Sequence, residues 1–69
     1  MITDAQARAL RMFADKGPAH QKLYGIREDV FDRLWVAGFV APAGFMVRKI
    51  SDKGRAALAE YDKRKRRHD

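Results

Sequence analysis

Sixty-nine residues limit the chain to one domain, because a chain this short buries only about 60% of the surface its unfolded form exposes. Fifteen Lys and Arg against nine Asp and Glu give a formal charge of +6, which favours an anionic partner such as nucleic acid. The absence of cysteine excludes a disulfide framework or a thiolate zinc site, so apolar packing must hold the fold alone or with the help of a partner.

The chain opens MITDAQARAL, with no basic segment ahead of an apolar stretch, so no secretory signal is expected. No apolar run approaches the roughly 18–20 residues that cross a bilayer. A cytoplasmic protein is the expectation, and the lack of cysteine is compatible with a reducing compartment.

Thr3 followed three residues later by Gln6 has the form of a capping box, with Ile2 placed as its apolar staple. Ile2, Ala5, Ala9, Leu10 and Phe13 then share one helical face until Gly17-Pro18 stops it, which predicts a helix over 3–16. Residues 18–25, PAHQKLYG, allow a short helix or helical turn with Leu23 and Tyr24 as its apolar contacts. The next helix is expected from 26 or 27 to Ala37, with Gly38 just past its end. Ile26, Val30, Leu34 and Ala37 form its core stripe and Phe31 flanks it. Glu28, Asp29, Asp32, Arg33 and Val36 project away, and Trp35 sits at the boundary.

Residues 39–41 and 45–50 read as two strands around a Pro42-Ala43-Gly44 turn, in which Gly44 is free to take positive φ. In the second strand Phe45, Val47 and Lys49 point one way and Met46, Arg48 and Ile50 the other. Ser51 caps a last helix in which Ile50, Gly54, Ala57, Leu58 and Tyr61 share a face. Gly54 costs about 1 kcal/mol relative to Ala there, but permits close approach of a neighbouring backbone. Beyond Tyr61 that face is lost. The domain is therefore expected over 1–62, with 63–69 a basic tail carrying Lys63-Arg64-Lys65-Arg66-Arg67. The expected core is Leu10, Phe13, Val30, Phe31, Leu34, Val40, Ile50, Leu58 and Tyr61.

This order is mainly α with a small β-hairpin, the α-α-α-β-β-α of a winged helix-turn-helix domain. Two segments resemble the MarR/PadR-like winged helix-turn-helix superfamily, in the very small versions found in bacteria and their phages. Phe31-Asp32-Arg33-Leu34-Trp35-Val36-Ala37-Gly38-Phe39-Val40 is similar to the end of a recognition helix, where a leucine is followed four residues later by Gly and two apolar residues. Ile50-Ser51-Asp52-Lys53-Gly54-Arg55-Ala56-Ala57-Leu58 resembles the segment that leaves the wing and starts the last helix. The resemblance covers roughly residues 26–61. It implies duplex-DNA binding through the helix around 26–37, in a transcriptional or phage-regulatory role in a bacterial cell or infected host.

Catalysis is not expected. His20 and His68 are the only histidines, Ser51 is the only serine and caps a helix, and no glycine-rich phosphate loop is present. Glu28, Asp29 and Asp32 on one helix read as a solvated face rather than a metal site, so neither metal nor cofactor is expected. The candidates for nucleic-acid contact are Lys22, Arg27, Arg33, Arg48 and Lys49, with Lys63, Arg64 and Arg66 as an additional arm. The three acids conflict with phosphate walls, although Asp can accept a hydrogen bond from cytosine N4, and Glu28 and Asp29 also suit a helix N-terminus. That conflict raises an alternative, a phage-type inhibitor, for example an anti-CRISPR or other anti-defence protein, that binds a host protein complex. Glu28, Asp29, Asp32, Trp35 and Val36 would be its binding face, with Phe39 and Phe45 as further anchors. A homodimer with Leu58 and Tyr61 at the seam fits either function. A membrane partner is not expected, because the last helix lacks a bulky apolar face.

Overall fold

The computed structural model describes residues 2–66, without the side chain of Arg66. Helix α1 spans Asp4–Lys16, a 3₁₀ turn Gln21–Tyr24, helix α2 Glu28–Val36, strand β1 Val40–Gly44, strand β2 Val47–Ile50 and helix α3 Asp52–Arg66. The fold is mainly helical with one antiparallel hairpin, in the expected order.

α1 begins as its sequence dictates. The Thr3 hydroxyl accepts from the Gln6 N–H at 3.2 Å while the Gln6 side chain accepts from the Thr3 N–H at 2.8 Å, and Ile2 is buried beside them. The 3₁₀ turn is capped by His20, whose Nδ1 accepts from the Lys22 N–H at 3.0 Å. Tyr24 anchors this turn to α1. Its ring meets Phe13 edge-on at 5.2 Å and its hydroxyl donates to the Gly17 carbonyl at 2.6 Å. Leu23, expected as an apolar contact, points into solvent instead. Four residues make barely one turn, enough to bury one side of it only.

Leu10, Phe13 and Leu34 are the most deeply buried large side chains, joined in one cluster by Phe31, Val40, Ile50, Leu58 and Tyr61. Ala7 and Ala9 are buried as well, because small side chains let α1 lie close to its neighbours. Val30 departs from expectation, being only partly buried. It lines an apolar groove of about 340 Å³ with Met12, Tyr24 and Ile26, which the short 3₁₀ turn is too small to cover.

The hairpin also differs in register. Val40 pairs with Ile50, Ala41 with Lys49, Pro42 with Arg48, and Gly44 with Val47, so Ala43 is an extra residue in β1. The tight turn is therefore Phe45-Met46, not Pro42-Ala43-Gly44. Pro42 fits within a strand for a specific reason. The N–H and C=O of Arg48 opposite it bond Ala19 on the other side, each at 3.0 Å, so nothing requires an N–H from Pro42. Gly44 does take positive φ, at 154°, and so does Met46, at 58°.

Ser51 joins α2, the hairpin and α3. Its hydroxyl accepts from the Gly54 N–H at 3.0 Å, capping α3, and donates to the Gly38 carbonyl at 2.6 Å. Its own N–H donates to the Phe39 carbonyl at 2.9 Å. A Cβ at Gly54 would overlap that same oxygen, so glycine is required by the packing, in keeping with the close backbone approach expected there. Phe39 lies outside β1, partly buried against the core.

α3 continues to Arg66, so 63–66 form its last turn rather than a separate tail. Leu58 and Tyr61 are buried within the chain, which leaves neither side chain at a homodimer seam. The Tyr61 hydroxyl donates to the Asp4 carboxylate and accepts from Lys65 Nζ at 3.3 Å, while Arg11 pairs with Asp62 at 2.5 Å. The contacts to Asp4 and from Arg11 tie α3 to α1. No helix among the described residues is long and apolar enough to cross a membrane.

Candidate nucleic-acid interface

α2 is held from two directions. Its last turn passes directly into the hairpin, where the Phe39 N–H donates to the Leu34 carbonyl at 2.9 Å. Its inner face, Phe31 and Leu34, lies in the core. At about 100° per residue the outward centreline falls between Asp32 and Val36, with Asp29 and Glu28 close to it and Arg33 and Trp35 on opposite borders. All six of these side chains are exposed, Val36 to 85%. The expected outward set is thus on one surface, and Trp35 stands at its edge as predicted.

The N-terminus of α2 explains part of the acidity. Arg27 is its N-cap and makes no side-chain cap hydrogen bond. Glu28 and Asp29 occupy the first two helical positions, where negative charge stabilises the unpaired N–H groups. Asp29 also pairs with Arg27 at 3.3 Å, an exposed contact worth little to stability. Asp32 lies beyond this first turn, and the dipole does not account for it.

The expected cations divide into two kinds. Lys22 on the 3₁₀ turn, Arg27 and Arg33 on α2, and Lys49 on β2 are exposed. Arg48 is half-buried: its guanidinium lies 4.8 Å over the Trp35 ring, and its Nη1 donates to the Val47 carbonyl at 3.2 Å. Its Nε is buried without a hydrogen-bond partner. Arg48 therefore fastens the hairpin to α2 by a cation–π contact. Lys63 and Arg64 extend from the end of α3, where Arg64 meets Glu60 at 3.1 Å. The side chain of Arg66 and all of Arg67 lie outside the described residues.

Met46, expected in the second strand on the face of Arg48 and Ile50, lies instead in the turn and is 52% exposed beside Phe45, exposed to 93%. Sequence reasoning offers Phe45 only as an anchor for a protein partner. The signal is present in the alternation of the strands, but it depends on placing the turn two residues later. Among the described residues no group of His, Asp or Glu could hold a metal ion. No family model, curated protein or solved structure matches this chain.

Proposed function

We propose that the protein binds duplex DNA, with α2 directed at the base edges of the major groove and the neighbouring cations at phosphates. The observation that carries this reading is the arrangement of charge on and around α2. Carboxylates and Val36 occupy the outward centreline, while Lys22, Arg27, Arg33 and Lys49 lie beside it or on adjoining elements. A helix in the major groove presents its centreline to bases and its borders to the phosphate walls. Carboxylates accept from cytosine N4, and an apolar side chain suits the thymine methyl group. The resemblance of residues 26–61 to MarR/PadR-like winged helices supports extending this reading to bacterial or phage gene regulation.

The exposed carboxylates with Val36 and Trp35 favour a second reading, a protein-binding face for a basic partner such as a host complex. Binding to random and genomic duplexes at several salt concentrations separates the two. Replacing Lys22, Arg27, Arg33 and Lys49 by Ala should weaken binding on every sequence and reduce the salt slope by about 0.9 for each phosphate these side chains neutralise. If the wild-type protein has no salt-dependent affinity for any duplex, the DNA reading is wrong.

A further inference from the structure

We infer that the Phe45-Met46 hairpin tip is an apolar wedge that enters a DNA base step and bends the duplex, an inference that rests on the DNA-binding reading. The turn is built against its own backbone preference. Met46 holds a φ of 58°, a conformation where Gly, Asn or Asp is usual in a two-residue hairpin. Phe45 beside it is 93% exposed and takes no part in the core cluster. Neither folding nor solubility calls for a Phe-Met pair at such a turn, so the strain and the exposure together point to a contact outside the chain.

The charge of the hairpin favours a polyanion as the partner. From Gly38 to Ser51 there is no Asp or Glu, whereas Lys49 is exposed on the strand behind the tip and Arg48, held over Trp35, adds positive charge at its root. An apolar tip on a cationic stem fits a polyanion that offers an apolar crevice. Stacked base pairs between phosphate strands are such a surface, and Phe and Met are among the side chains that unstack base steps from the minor groove. The Arg48–Trp35 contact fixes the root of the hairpin to α2, and the tip lies two residues beyond it, roughly 7 Å of strand. A duplex reached by α2 is then within reach of the tip.

The test uses the full chain and duplexes that carry 2-aminopurine at a TA step and a donor–acceptor dye pair at their ends. Wild-type protein should raise 2-aminopurine fluorescence and shorten the end-to-end distance. Phe45→Ala, at a side chain outside the core, should fold normally, bind on the order of ten-fold more weakly and lose both signals. Its salt slope should be unchanged, since no phosphate contact is removed. Wild-type binding without bending or unstacking, or equal bending by Phe45→Ala, overturns the wedge and leaves the DNA reading standing. Absence of any duplex binding overturns both. Phe45-dependent capture by phosphatidylserine vesicles, with no effect of Phe45→Ala on DNA, assigns the tip to lipid and overturns the wedge.

Discussion

Gly54 shows how a single position can reverse a general preference. Alanine is favoured over glycine inside a helix by about 1 kcal/mol, yet its Cβ here would collide with the Phe39 carbonyl that receives the Ser51 N–H. The obstruction is backbone, which cannot swing aside, and overpacking of this kind costs about 1–3 kcal/mol. Gly54→Ala should therefore lower stability by up to a net ~2 kcal/mol in denaturant unfolding, despite raising the intrinsic helicity of α3. Tyr61 offers a second test. Its hydroxyl, with help from Lys65 and Arg8, holds the Asp4 carboxyl below the ordinary carboxylate range. A depressed pKa contributes stability above the unfolded-state value, near about 4, that is lost as pH falls through the lower folded-state value. Tyr61→Phe keeps the ring and removes the hydroxyl. The stability gap between wild type and this variant should be larger at neutral pH and narrow as the pH falls below about 4, as followed by thermal melts.

At the scale of elements, the three helices were legible because each carries its own start signal or apolar period. Thr3 with Gln6, the stripe through Leu34, and Ser51 with Gly54 each match what folds. The hairpin was legible as an element but not in its register. Its turn depends on the bridge between Ala19 and Arg48, residues far apart in the chain, which makes Pro42 acceptable within β1. Local turn chemistry carries no information about that bridge. The incomplete burial of Val30 has a similar origin, since helical periodicity gives direction but not whether a neighbouring element is long enough to cover it. The candidate surface on α2 was legible by the same periodicity, whereas the stacking of Arg48 on Trp35 again needed the register. The turn itself can be tested. Met46→Asn places a residue tolerant of positive φ in the same position and should raise stability by about 0.5–1 kcal/mol in denaturant unfolding. The same variant should bend DNA less, because half of the proposed wedge is gone.

Over the whole molecule, a charge of +6 draws the protein towards polyanions, while the carboxylates on α2 decide what that surface can approach closely. Asp32 is the informative one. It is exposed on the outward centreline, beyond the first turn of α2 where Glu28 and Asp29 offset the helix dipole, so its replacement should leave the fold intact. Asp32→Lys exchanges a negative charge for a positive one and places it where a base edge is proposed to lie. Affinity for random duplexes should therefore rise and its salt dependence should steepen. If Asp32 accepts a hydrogen bond from a base, the ratio of affinities between preferred and random sequences should fall at the same time, by about 1–3 kcal/mol for a contact of the bidentate class and less for a single bond. Parallel titrations of wild type and Asp32→Lys against a preferred and a random duplex read both quantities. A gain in random-sequence affinity with an unchanged ratio would remove Asp32 from the base-reading surface and reduce its carboxylate to a repulsive charge near the phosphates. A fall in affinity for both duplexes would contradict the placement of α2 against DNA.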